Sequence, residues 1–258
     1  MRGELARWST VAWWSFRGSL RGLRILGLAA FAAVPSLIVL ALVSAHPSAD
    51  ALASGTEGLF ELLTVPVVVM LLVLVISVAQ FRNEIDAETL VYISDRSISR
   101  TSVVLGKYAG AVGASLVLAL PAALVPLGLA ELGGATPFPL EVPLVLAAAV
   151  VLAVLAYASF FVFLGLVSRD ALIIGLLFGF LWEELLRLLP GELPRLTLSF
   201  YLRSFLSGEL TTGPLAGYPS AVSVPLAVTA LLAVPVVFLS FSAGAFSFLE
   251  TAPERESA

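Results

Sequence analysis

An all-α membrane protein with six bilayer-crossing segments is the fold class this sequence predicts. Three observations predict it: the composition, the lengths of the uncharged apolar runs, and the placement of the arginines. Of 258 residues, 59% are hydrophobic and 12% charged, and the mean hydropathy is +1.03. Soluble chains sit near half apolar and a quarter charged, and a chain of 27.1 kDa is too small to enclose so much apolar surface in water. Lipid is the matching solvent. The net charge of −4 argues against a nucleic-acid partner. With no cysteine, thiolate chemistry and disulfides are excluded, and a single histidine, His46, excludes any site that needs two. One lysine, Lys107, stands among thirteen arginines, and composition alone gives it no functional weight.

A membrane helix needs roughly 20 apolar residues to cross about 30 Å of hydrocarbon. Residues 25–43 form the first such run. Five arginines precede it, as in a signal peptide, but the run exceeds the usual signal core and reads as a retained span. Further spans are predicted over 62–81, 106–130, 142–167 and 222–249, and the prolines inside several of them are tolerated in membrane helices. The fifth segment, 171–189, is short or broken. Only residues 171–182 are uncharged, about 18 Å of helix, before Glu183, Glu184 and Arg187. Either Glu183 pairs with Arg187 one turn on, as an outer charge pair, or the segment is re-entrant. Pro190 and Gly191 then stop it.

With the N-terminus inside and six crossings, eleven basic residues fall on the inner side. They are Arg2, Arg7, Arg17, Arg21, Arg24, Arg82, Arg96, Arg100, Lys107, Arg169 and Arg255. Three fall outside: Arg187, Arg195 and Arg203. The expected location is therefore the cytoplasmic membrane, multi-pass, with both termini cytoplasmic. The two short outer loops, 44–61 and 131–141, hold no basic residue.

Two features lie outside the spans. Residues 4–21 are amphipathic, with Leu5, Trp8, Ala12, Phe16 and Leu20 on one face and Arg7, Arg17 and Arg21 on the other. Together with Trp13 and Trp14 this predicts an interfacial helix, the plainer reading being a positive-inside anchor. The inner loop, 82–105, crowds charges beside Leu90, Val91, Tyr92 and Ile93, although a three-residue loop at 168–170 suffices to reverse the chain elsewhere. That length and apolar patch suit a short helix presented to a cytoplasmic partner; the plainer reading is a charged loop satisfying its own helix ends.

The stretch FRNEIDAETLVYISDRSISRTSVVLGKY, residues 81–108, resembles the cytoplasmic loop of ABC-2 type transporter permeases. Glu84 and Asp86 match that loop's acidic pair, Thr89 and Leu90 its Thr-Leu, Ser99 and Arg100 its Ser-Arg, and Gly106 with Lys107 its Gly-Lys. Glu88 stands where the family usually has glycine, and Ser97 where it has proline. An N-terminal interfacial (elbow) helix, six spans and inner termini are similar to the same family. So is the outer stretch WEELLRLLPGELPRLTLSFYLRSF, residues 182–205.

The resemblance implies a single permease domain over residues 1–258 that is not itself an enzyme. ATP and Mg would be handled by separate cytoplasmic ABC ATPase subunits, and the loop between spans two and three would dock on them as a coupling helix. The chain has no Gly-x-x-x-x-Gly-Lys-Ser/Thr phosphate cradle. A second permease copy, identical or homologous, is the other implied partner, and export the expected direction. Docking is expected from Glu84, Asp86, Glu88, Thr89, Leu90, Ile93 and Arg100, the acids meeting basic residues of the partner and the apolar side chains entering a groove. The spans hold no buried charge or ligand ladder to name a substrate or metal, and Gly106, Gly110, Gly113 and Ala114 suit close helix approach. Two other classes remain open. One is a non-transporting membrane scaffold or immunity protein. The other is an intramembrane enzyme, because Glu183-Glu184-x-x-Arg187 approaches the Glu-Glu-x-x-x-Arg of CAAX-type proteases. Its spacing is one residue short, and no histidine follows it.

Overall fold

The structure, a computed structural model, describes residues 2–86, 99–189, 192–210 and 222–249. Among the described residues all regular structure is helical. In chain order these are α1 (Arg2–Ser19), α2 (Leu23–Ala32), α3 (Val34–Ser44), α4 (Ala49–Leu59), a π-helical stretch (Phe60–Val69), α5 (Met70–Asp86), α6 (Arg100–Leu132) and α7 (Glu141–Val167). There follow α8 (Ala171–Leu177), a second π-helical stretch (Phe178–Glu183), α9 (Glu184–Leu188), a 3-10 turn (Leu193–Leu196), α10 (Leu198–Glu209) and α11 (Val224–Leu249).

Five helical stretches are long and apolar enough to cross a bilayer: Leu23–Ser44, Ala49–Ile85, Thr101–Leu132, Glu141–Val167 and Val224–Phe246. On that length and composition the chain is a multi-pass helical membrane protein. The stretch Glu141–Val167 is the axis of the bundle, with 67% of its apolar window buried against 17% for the first and last stretches. Its Leu146, Val150, Val154, Tyr157 and Phe161 pack with Met70 and Val73 of α5 in the main core. The outer faces of α3, α8 and α11 leave Leu37, Leu40, Ile173, Leu177, Val236 and Phe241 exposed, as side chains meant for lipid must be.

The expected spans and the helices differ in instructive places. The helix predicted at 62–81 begins at Ala49 and runs unbroken to Asp86, so the expected outer loop 44–61 is mostly helix. Ser48 caps it, its side chain accepting the N–H of Ala51 at 3.3 Å. Asp50 accepts the hydroxyl of Thr136 at 2.5 Å, and Glu61 faces Arg203 at 3.5 Å, so the polar residues that looked like loop have partners. Pro66 removes a backbone donor within this helix, and the π-helical widening around it accommodates the ring. The first span is divided at Ala33, where Pro35 stands in the first turn of α3. Residues 142–167 and 222–249 match their helices within about two residues. The fifth segment is helical without a gap from Ala171 to Leu188, but its three pieces do not count among the five apolar stretches.

α1 is not an isolated surface helix. It packs along the start of α6, where the glycines allow backbone to meet backbone. A Cβ added at Gly110 would lie 2.5 Å from Cβ of Ser15 and 2.8 Å from the backbone nitrogen of Phe16. At Gly106 it would lie 2.7 Å from Val11. The close approach expected of Gly106, Gly110 and Gly113 is thus filled by α1. The inward face is a seam of Val11, Ala12, Ser15, Phe16 and Ser19, rotated from the hydrophobic face read off the sequence. Trp8 is half-buried, while Trp13, Trp14 and Arg17 stay outside, Trp13 stacking on Phe16 with ring centroids 5.8 Å apart. Gly22, at φ 81, then turns the chain into α2 in a conformation that side chains rarely adopt.

Candidate functional site

At the Arg100 end of the bundle, one face of α5 carries Ser77, Gln80, Phe81 and Glu84 at helical spacing. Opposite, Lys107 lies on the second turn of α6, one residue after Gly106. Ser99 starts that helix, its side chain accepting the N–H of Ser102 at 3.3 Å. The Lys107 side chain is only 4% exposed. An ammonium so deeply placed in an apolar bundle is stable only when its charge is met nearby. Glu84 meets it, with Oε1 2.6 Å from Nζ. Nζ also donates to the backbone carbonyl of Gln80 and sits over the Phe81 ring, 4.8 Å from its centroid.

The same glutamine reaches the N-terminal helix. Gln80 Nε2 donates to Ser19 Oγ at 2.7 Å, and Ser19 Oγ donates to the carbonyl of Ser15 at 2.9 Å. Ser15 in turn rests on Gly110, one turn beyond Lys107. A closed circuit results: the two chain segments bounding the inner loop are pinned to each other by Glu84 and Lys107, and both are pinned to α1. Beneath it Phe81, Val103, Val104 and Phe246 form a small apolar cluster of their own.

Of the residues expected to dock a partner, Glu84 is engaged with Lys107 inside the chain and is about a third exposed. Asp86 and Arg100 end and begin the flanking helices, their side chains outside the description. Glu88, Thr89, Leu90 and Ile93 lie outside the described residues. Sequence reasoning missed Lys107, Gln80 and Ser19 as a unit. The available signal was the lone lysine itself: in a chain of thirteen arginines, a compact point charge at the edge of a span fits a pocket that a planar guanidinium does not.

A second polar place lies toward the far end. Glu183 is buried, and its two carboxylate oxygens accept the backbone N–H groups of Leu198 and Ser199, each at 2.9 Å. Those are the first two residues of α10, whose N-cap Thr197 also accepts from Phe200 at 3.3 Å. The carboxylate therefore sits on the positive end of a helix and satisfies donors that helix cannot satisfy itself. Tyr157, from the central helix, stands beside the same carboxylate. Glu184 is half-buried, and the side chain of Arg187, the expected partner one turn on, lies outside the description. Trp182 ties the same segment to the 3-10 turn, its indole N–H donating to the carbonyl of Leu196 at 3.3 Å.

Fold and site together define a class: a multi-pass helical membrane protein with a pinned polar base at one end and a carboxylate-capped helix toward the other. No family model matches the chain, and no curated protein is similar to it in sequence.

Proposed function

We propose that this chain is the permease subunit of an ABC-2 type transporter, carrying a substrate outward across the cytoplasmic membrane. ATP, with Mg, is bound and hydrolysed in separate cytoplasmic subunits, and two permease copies make the transporting unit. In this reading the shortened segment 171–189 counts as the fifth of six spans, both termini are cytoplasmic, and the loop beyond Asp86 holds the coupling helix. The resemblance of residues 81–108 supports it. The observation that carries it is the circuit at the base of that loop. A loop meant to receive a push from a motor needs a stiff root, and Glu84, Lys107, Gln80 and Ser19 supply one that also grips α1. Displacing the loop would then move α1 and α6 together and shift the bundle between inward- and outward-open packings.

Because Glu84 serves Lys107, the acids left to meet a partner are Asp86 and Glu88. The test is to co-express and co-purify the chain with soluble ABC ATPases from its own genome, comparing wild type with Asp86→Lys/Glu88→Lys. The expected outcome is loss of the ATPase from the complex, since reversing a charge at a docked pair costs about 2–5 kcal/mol. A double variant that assembles and hydrolyses ATP as wild type does would overturn the docking role. A chain fully competent with no ATPase present would overturn the transporter reading.

A further inference from the structure

Three arginines fall within one short stretch of chain where α1 turns into α2. Arg17 lies in the last turn of α1, Arg21 in the connecting turn and Arg24 in the first turn of α2. All three are exposed, and among the described residues no acid pairs with any of them. Trp13 and Trp14 stand one turn before Arg17, 56% and 63% exposed, and Leu23 and Leu26 follow, 84% and 64% exposed. Cations, indoles and aliphatic side chains thus share one exposed corner. The hydrogen bond from Gln80 to Ser19 sets this corner beside the pinned base at the Arg100 end of the bundle.

Each part of the corner answers a different part of one molecule. Guanidiniums bind phosphate oxygens in fork geometry, indoles settle at the headgroup level, and leucines lie along acyl chains. Arginines that only fixed the orientation of the chain would have no need to sit with exposed indoles on one turn. We infer that the α1–α2 corner is a binding site for an anionic glycerophospholipid, its phosphate held by Arg17, Arg21 and Arg24 and its acyl chains against Leu23 and Leu26. The site binds lipid in the bilayer rather than soluble phosphate, because exposed indoles and leucines stand beside the arginines. It does not depend on the transport reading. A bound lipid would brace α1 from the side opposite its seam on α6.

The test uses the full chain in vesicles of equal parts phosphatidylcholine and phosphatidylglycerol, with one lipid brominated at a time to quench tryptophan. A Trp8→Phe/Trp182→Phe background leaves Trp13 and Trp14 as the emitters. Brominated phosphatidylglycerol is expected to quench more strongly than brominated phosphatidylcholine, with a preference of roughly five-fold per guanidinium at low salt. Arg17→Gln/Arg21→Gln/Arg24→Gln should abolish the preference, and the corresponding triple lysine variant should keep most of it. Equal quenching by the two lipids in the wild-type corner would overturn the inference, as would a preference that survives in the triple glutamine variant. The first outcome needs no substitution among the arginines, so misfolding of a variant cannot obscure it.

Discussion

The two ends of the bundle each bury a charge, and they hold it in opposite ways. At the Arg100 end a lysine on α6 meets a glutamate on α5, side chain to side chain, across the ends of one loop. Toward the other end a glutamate meets the backbone N–H groups of a helix start. A side-chain pair can be exchanged, screened or pulled apart, because each partner moves on its own stem. A carboxylate clamped to two amide donors cannot be replaced by rearranging another side chain. The first arrangement suits a joint, the second a weld. In the proposed reading, force enters the bundle at the Lys107 end while the far segment holds its shape.

The sharpest way to break the comparison is Glu183→Leu. It leaves the amides of Leu198 and Ser199 without their acceptor in a largely buried setting, at about 1–3 kcal/mol for each orphaned group. The expected result is a fall of roughly 2–5 kcal/mol in stability, read as an earlier thermal unfolding midpoint in detergent, and faster proteolysis near α10. Glu183→Gln, which keeps one acceptor oxygen, should lose about half as much. Unchanged unfolding in both variants would show that the carboxylate is not the weld.

Next in size is Lys107→Met. It takes the ammonium away from Glu84, which is about a third exposed and can rehydrate, so the expected loss is smaller, roughly 1–3 kcal/mol. The informative variant is the exchange Glu84→Lys/Lys107→Glu. If the base is a side-chain joint, the exchange should recover a substantial part of the loss in a double-mutant cycle. No such charge exchange is available at Glu183, because among the described residues two backbone N–H groups and no cation hold its oxygens. A cycle with no coupling between residues 84 and 107 would remove the distinction between the two ends.

These residues also mark how far the sequence could be read. The central helix was legible to within a residue, because residues 142–167 are a long uncharged run between clear breaks. Residues 44–61 were read as an outer loop, because the uncharged runs on either side stop there. From Ala49 on they are helical: Ser48 caps the start, and Asp50 and Glu61 meet Thr136 and Arg203, partners distant in the chain. Of the face of α1 read off the sequence, Ala12, Phe16 and Leu20 do turn inward, but its small polar members, Ser15 and Ser19, were not foreseen. Hydrophobicity selects large apolar side chains, whereas the observed seam is built of Ala12, Ser15 and Ser19 on glycines, where closeness rather than greasiness decides. Lys107 was visible in sequence, but its burial was not, because burial depends on Glu84 and Gln80 lying across the loop. Glu183 was read as one half of a pair with Arg187, whose side chain lies outside the description; the partners it does show, the first N–H groups of α10, had no local signature.

The smallest expected effect tests whether polar atoms between α5 and α6 matter by being polar or by being paired. Ser77 and Ser115 continue the faces of Gln80 and Lys107 into the bundle, are fully buried, and have hydroxyls without a hydrogen-bond partner among the described residues. A buried hydroxyl that bonds nothing contributes little beyond its volume, and removing it relieves a desolvation penalty. Ser115→Ala is therefore expected to change stability by less than about 1 kcal/mol, toward stabilisation. Gln80→Leu, by contrast, should lower it, because Gln80 is the link between α5 and Ser19. If Ser115→Ala destabilises the chain as much as Gln80→Leu does, the circuit around Lys107 extends deeper into the membrane than the side-chain pairs show, and the joint is not confined to the base of the loop.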